Sequence, residues 1–259
     1  MKALARFYLL AILVFLYLPI MVMMAMGFND SALYELPFRF TTRWYVALSG
    51  NDQLISAGIN SIVIALITAV LATLAGTMAA VALDRRAVRG RTLLQLLLLP
   101  PIAIPWLITG TAMLVFFFWT GIGRGMHALL IGHVALAIPY VVLVVGTGLR
   151  TIRSDLEEAA ISLGSTPLHA FFAVTLPLLT PSILGAALFA FAVSLDQFVI
   201  SYFLSTPGFA TLPVQIYSAI RKGFTPEINA ISTILLVGSM SVIVVFAIFA
   251  RPGGARDKR

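Results

Sequence analysis

Six stretches of about twenty apolar residues alternate with shorter polar connections along the chain. They fall at about Phe7–Gly27, Gly58–Leu83, Leu93–Trp119, Leu129–Leu149, Ser182–Leu204 and Ala230–Ala250. A hydrocarbon core of about 30 Å needs about 20 apolar residues in a helix, so each stretch predicts one transmembrane helix. The expected fold is an all-α membrane protein of six transmembrane helices. Its parts are a first helix over 1–28, a loop over 29–57, a five-helix core over 58–250 with a long loop at 150–181, and a tail over 251–259. Pro100, Pro101 and Pro105 interrupt the third stretch. The carbonyls they free must find partners in protein or water, so this span should kink against the bundle interior, either to line a pathway or to shape packing.

The loop at 150–181 has its own pattern. Ser154 with Glu157 three residues later reads as a capping box, so a helix should begin at about Asp155, with Asp155 and Glu157 near its positive end. Leu156, Ala159, Ala160 and Leu163 follow at i, i+3, i+4 and i+7 and form one narrow apolar stripe. Gly164 suits the left-handed residue that ends a helix, and Thr166-Pro167 reads as the cap and first residue of a second short helix. A helix of about nine residues is marginal alone in water and gains order by docking on its own domain or on a partner. An ordinary amphipathic connector would share these features.

Composition excludes a soluble domain: 60% of the 259 residues are hydrophobic, 10% are charged, and the mean hydropathy is +1.02. The net charge of +7 does not point to nucleic acid, because the basic residues are sorted by membrane side. Twelve lie on one side: Lys2, Arg6, Arg85, Arg86, Arg89, Arg91, Arg150, Arg153, Arg251, Arg256, Lys258 and Arg259. Five lie on the other: Arg39, Arg43, Arg124, Arg221 and Lys222. By the positive-inside rule both termini, the 150–181 loop and the tail are cytoplasmic, and the 29–57 loop is external. The arginines at 85–91 suit orientation and contact with lipid headgroups. External Trp44 and Tyr45 suit the headgroup level, with short helices lying across the outer face. Lys2 and Arg6 before an apolar run imitate a signal peptide, but twenty-one apolar residues exceed the usual length and predict an uncleaved helix.

Candidate chemistry is sparse. There are no cysteines, and His127, His133 and His169 lack ligand spacing, so no metal site is expected. Gly121-Ile122-Gly123-Arg124-Gly125 has no strand–helix context for a nucleotide and reads as a turn. No nucleotide-binding lysine motif or nucleophile elbow is present, so no catalytic site is expected in this chain. Asp196 is the sole Asp, Glu, Lys or Arg within the six stretches. A carboxylate near a helix centre costs about 2.5–3.5 kcal/mol on insertion scales, so it should face the bundle interior or a wet cavity. Phe189 and Phe203, one heptad to either side, should share its face and suit an organic cation. The alternative is a structural Asp, hydrogen-bonded to a neighbouring helix and holding two subunits in register.

Glu158-Ala159-Ala160, then three residues, Gly164, nine residues and Val174-Thr175-Leu176-Pro177 resemble the cytoplasmic EAA loop of permease subunits of binding-protein-dependent ABC importers. The resemblance implies a type I importer permease fold in a bacterial inner membrane. Glu157, Glu158, Ala159, Ala160 and Gly164 would meet a dimer of ATP-binding cassette ATPases. ATP and Mg would sit on that partner, with no cofactor on this chain. A homologous second permease and an external substrate-binding protein would complete the assembly, with membrane lipid around it. A secondary transporter or channel, or a scaffold without transport, would have no use for such a loop.

Ser194-Leu195-Asp196, Phe198-Val199-Ile200-Ser201, Thr211-Leu212-Pro213-Val214 and Thr225-Pro226-Glu227-Ile228-Asn229-Ala230 further resemble the permeases of spermidine/putrescine importers. The implied substrate is a cationic amine, with Asp196, Phe189, Phe203, Tyr202, Tyr217 and Glu227 along its pathway. One departure stands out: Gln197 replaces an expected second acid. Losing that charge leaves room for another amine-bearing solute, such as 4-aminobutyrate, an opine or an aminophosphonate.

Overall fold

A computed structural model of the chain describes residues 2–31, 35–85, 90–98, 100–223 and 226–249. The tail at 251–259 and Arg86, Arg89 and Thr225 lie outside the described residues. Among the described residues the regular elements are helices: α1 (Lys2–Met26), α2 (Arg43–Ser49), α3 (Asp52–Arg85), α4 (Arg91–Leu97), α5 (Pro100–Ala103), α6 (Trp106–Trp119), α7 (Met126–Thr151) and α8 (Ser154–Ser162). Then come α9 (Pro167–Ala170), a π-helical turn (Phe171–Thr175), α10 (Leu176–Leu195), α11 (Val199–Leu204), α12 (Leu212–Lys222) and α13 (Glu227–Phe249).

Among the described residues four helical runs are long and apolar enough to cross a membrane: within α1, within α3, α7, and the continuous Pro167–Leu195. The pair Arg91–Ala103 and Trp106–Trp119 makes a fifth if it is one span, and α13 contributes the shorter apolar stretch Glu227–Val242. Two of the six expected spans are therefore not single helices. The third is bent by 106° rather than merely kinked. Pro105 is extended, at φ −54° and ψ 131°, and a residue preceding proline is disfavoured in the α region, so the helix stops before Ile104. The fifth, expected over Ser182–Leu204, ends at Leu195 and resumes at Val199. Gly121, Gly123 and Gly125 form the expected turn between α6 and α7.

By compactness the chain divides into two units. One comprises Met1–Ala57 with Gln215–Phe246, the other Gly58–Val214 with Ala247–Arg259. In the first unit Asn29 is a hub. It is buried, its side chain donates to the Glu35 carbonyl (3.1 Å) and accepts from the Arg39 amide (3.0 Å), and its carbonyl accepts from Trp44 Nε1 (2.8 Å). Arg43 pairs with Asp30 at 2.7 Å and stacks over the Trp44 ring at 4.1 Å. These bonds fold the polar connection after α1 into an ordered cap. The apolar stretch Leu4–Met26 of α1 buries nothing within this chain, so lipid or another subunit must cover it.

In the second unit α7 is the central helix. Its residues Ala137, Val141, Val145 and Leu149 pack with Ala72 and Ala80 of α3 and with Leu179, Ala186 and Ala190 of α10. A second cluster joins Ile64, Phe117, Leu129, Leu136, Ile200 and Leu204. Lipid tails are as apolar as leucine, so helices in a bilayer gain from close backbone approach rather than from leaving water. The small residues are placed accordingly. A Cβ on Gly76 would stand 2.7 Å from Cβ of Val141, and one on Gly148 would stand 2.6 Å from Cβ of Ser182. At the end of α3 the Asp84 carboxylate lies 3.7 Å from Arg91 and 3.8 Å from Arg150, joining three helix ends.

These contacts predict opposite effects for two glycines on one helix. Gly148→Ala should lower the melting temperature of the purified protein, because overpacking costs about 1–3 kcal/mol. Gly146→Ala, with open space around the added methyl, should leave it unchanged or raise it by helix propensity, worth up to about 1 kcal/mol. Thermal unfolding of both variants in the same detergent checks the difference, and equal melting temperatures would contradict the close α7–α10 approach.

Candidate functional site

Two places gather the residues singled out by the sequence. The first is the turn around α8. The helix starts one residue earlier than expected and without a capping box: Ser154 is its first residue, Arg153 stands at the N-cap, and no side chain caps it. Both acids have other partners. Arg153 grips Asp155 through two hydrogen bonds, one of them at 3.1 Å, and the Glu157 carboxylate accepts from Thr175 Oγ1 at 2.7 Å. Glu157 thus reaches across 18 positions to a fully buried hydroxyl and ties α8 to the π-helical turn.

The end of α8 follows the expectation. Gly164 has φ +98°, its amide donates to the Ile161 carbonyl (2.9 Å), and the Ser165 amide donates to the Ala160 carbonyl (3.1 Å). That pair of bonds is the Schellman arrangement, which needs a left-handed residue and hence favours glycine. Thr166 caps α9 by accepting from the His169 amide at 3.3 Å, and Pro167 takes the first helical position. The second helix is not separate, however. It runs through the π-helical turn into α10, with the Leu176 amide donating five residues back to Phe171. Pro177 has no amide for the Ala173 carbonyl and its ring crowds that group, so the wider register accommodates the proline. Glu158 and Ala159 are exposed, and Ala160 is half-buried. Leu156, Ile161 and Leu163 are exposed too, Leu163 by 90%. This apolar set is uncovered in the isolated chain, with the carboxylates of Asp155 and Glu158 exposed beside it.

The second place is the break at 196–198. Asp196 is the C-cap of α10, at φ −86° and ψ −3°, and is exposed in the isolated chain. It is therefore neither at a helix centre nor buried, because the helix on which that placement rested ends there. Phe189, two turns earlier on α10, is exposed on the same face and meets Tyr140 in a tilted contact with ring centroids 5.3 Å apart. Phe203 does not share this face. It rides on α11, half-buried, with its ring against Gly110 of α6. Tyr202 is exposed and meets Phe198 in a tilted ring contact at 5.6 Å. Tyr217 and Glu227 belong to the first unit, where Arg221 lies 5.8 Å over the Tyr217 ring and Glu227 opens α13. Gln197 turns inward, 2% exposed, and its Oε1 accepts from the Ile200 amide at 3.4 Å at the start of α11.

One buried group beside this break goes beyond the expected set. His133 was excluded as a metal ligand on spacing, yet it contacts serines on both sides of the break. A polar side chain in the middle of an apolar stretch was the available signal.

Several long apolar helical runs, one of them broken, with an exposed polar turn between two of them, define an integral membrane protein. The family described as binding-protein-dependent transport system inner membrane component matches residues 72–251, and the chain belongs to it. The putrescine transport system permease protein PotI of Escherichia coli (strain K12) is 38% identical over 237 residues, covering 88% of this chain and 84% of the relative. The spermidine/putrescine transport system permease protein PotC of the same strain is 34% identical over 241 residues, covering 93% and 91%. A solved structure of a bacterial ABC transporter involved in the import of the acidic polysaccharide alginate superposes with a TM-score of 0.76. It covers 96% of this chain and 94% of that one at 17% identity, a likeness of fold alone.

The Glu157–Thr175 bond generates a test of local order. Hydrogen bonds to charged groups contribute about 1.5–3 kcal/mol, so Thr175→Val should speed amide exchange over 154–163 by at least about tenfold. Exchange followed by mass spectrometry should show the rise confined to that segment, and unchanged protection would mean that α8 is held by other contacts.

Proposed function

We propose that this chain is one of two permease subunits of an ATP-driven importer in a bacterial inner membrane, and that the pair forms the pathway for a cationic amine such as putrescine or spermidine. The observation that carries the substrate class is the charge at the α10–α11 break. Asp196 adds a carboxylate to a helix C-terminus, which already bears a partial negative charge, and the exposed Phe189 ring lies on the same face. Discontinuous helices in transporters use such C-terminal ends to hold cations. The identities of 38% and 34% with permeases named for putrescine and spermidine point the same way. Gln197 does not weaken the reading, since that position is buried and its side chain meets the start of α11.

In this reading the chain has six spans, a five-helix core over 58–250, an external loop at 29–57 and both termini in the cytoplasm. Two copies of a separate ATPase bind ATP and Mg, and the chain itself holds no catalytic site and no cofactor. The exposed side of α8, with Glu158, Ala159 and Gly164, enters a cleft on that ATPase, while Glu157 anchors the helix from behind. An external binding protein delivers the amine to the outer face, near which Tyr217 and Glu227 act. Tyr202 and Phe203 shape the pathway around the break.

Two substitutions test separate parts. Gly164→Val places a β-branched residue at φ +98° and should leave the complex assembled while abolishing substrate-stimulated ATP hydrolysis and uptake. Normal rates of both would refute the docking role. Asp196→Asn keeps size and hydrogen bonding but removes the charge. A charge-assisted hydrogen bond is worth about 1.5–3 kcal/mol, so uptake of radiolabelled putrescine should fall about tenfold to a hundredfold with basal ATP hydrolysis retained. Uptake at the native rate by an intact complex would remove Asp196 from the pathway.

A further inference from the structure

His133 sits in α7 with 2% exposure, and its ring has hydrogen-bond partners at both nitrogens. Nδ1 lies 2.8 Å from Ser194 Oγ in the last turn of α10, and Nε2 lies 3.0 Å from Ser201 Oγ in α11. The Ser201 hydroxyl donates to the Gln197 carbonyl at 2.7 Å. Its single proton is thereby used, so Ser201 can only accept from the ring, and Nε2 must carry hydrogen. A neutral imidazole then offers Nδ1 as an acceptor, which takes the Ser194 proton. One directed chain results: Ser194 O–H to Nδ1, Nε2–H to Ser201, and Ser201 O–H to the Gln197 carbonyl.

The two serines stand on opposite sides of the break, Ser194 two residues before Asp196 and Ser201 five residues after it. Backbone groups at a break in lipid lose their helical partners, and the break already leaves Gln197 Nε2 buried without a hydrogen-bond partner. With one side chain bridging both helix ends, α10 and α11 cannot swing apart without breaking the chain of bonds. Gly132, the neighbour of His133, lets α7 approach α11 closely: a Cβ there would stand 2.9 Å from Ile200 Cγ2.

We propose that His133 is the positioning residue for the Asp196 carboxylate, fixing the angle between α10 and α11 and so the place where an amine is held. This rests on the reading of Asp196 as the amine-binding group. It assigns to α7 a specificity role through a hydrogen-bonded relay rather than through contact with substrate. Replacement by a residue that can still bridge should restore function. The glutamine amide can donate to Ser201 and accept from Ser194, whereas the shorter asparagine cannot span both.

The test uses the complete transporter, with its partner permease, ATPase and binding protein, in proteoliposomes supplied with radiolabelled putrescine. His133→Leu should raise the KM for uptake about tenfold, the equivalent of one buried hydrogen bond, with a smaller change in kcat. His133→Gln should recover most of that loss and His133→Asn little of it. In an Asp196→Asn background His133→Leu should add less than about twofold, because the two act on one step. Ser201→Ala carries the same comparison should His133→Leu fail to assemble. A full tenfold loss added on top of Asp196→Asn would make His133 an independent structural residue and overturn the proposal. Native uptake by Asp196→Asn alone would instead refute the amine-binding reading, and the positioning role would fall with it.

Discussion

A backbone in lipid has no water to turn to, so wherever this chain departs from an unbroken helix a partner must be supplied from elsewhere in the fold. At the α10–α11 break the Ser201 hydroxyl meets the Gln197 carbonyl and the Gln197 side chain meets the Ile200 amide. At the π-helical turn Leu176 donates to Phe171, and Thr175 in turn holds Glu157. Each interruption is thus tied to a side chain or turn that fixes its geometry. The Asp196 carboxylate lies at one such interruption, and His133 bridges it from α7.

The same constraint explains the distribution of small residues. With no hydrophobic force drawing helices together, contact depends on how closely their backbones can come. Gly76, Gly132 and Gly148 mark the approaches of α3, α11 and α10 to the central α7 region. Bulk is kept for the outer faces, where Leu, Phe and Val remain exposed on the isolated chain. The densely packed α7 thereby supports the break between α10 and α11.

Much of the architecture was legible in local patterns. Hydropathy located the helical runs, Gly164 announced a left-handed residue, and Thr166-Pro167 announced a helix start, because each depends on neighbours within a few positions. What escaped depends on distant partners. Glu157 abandons the capping box for Thr175, 18 positions away, and no local rule contains that hydroxyl. The heptad argument around Asp196 assumed a continuous helix, so it placed Phe203 correctly in spacing and wrongly in space. Gln197 looked like a lost charge in the pathway until its side chain proved to be buried. The two serines that partner His133 lie 61 and 68 positions away, beyond the reach of any local pattern.

The π-helical turn at Phe171–Thr175 carries one residue more than an α-helix would need, and that surplus has a geometric meaning. In a regular helix each residue contributes about 100° of rotation and about 1.5 Å of rise. Deleting one residue from the turn would convert it to α-helical register and swing α9 and α8 about the axis of α10 by about that angle. The direction in which the exposed turn points is therefore set by residue number as well as by the Glu157–Thr175 bond. A single codon lost or gained there would re-aim this surface, at the expense of the buried positions Ala170 and Thr175.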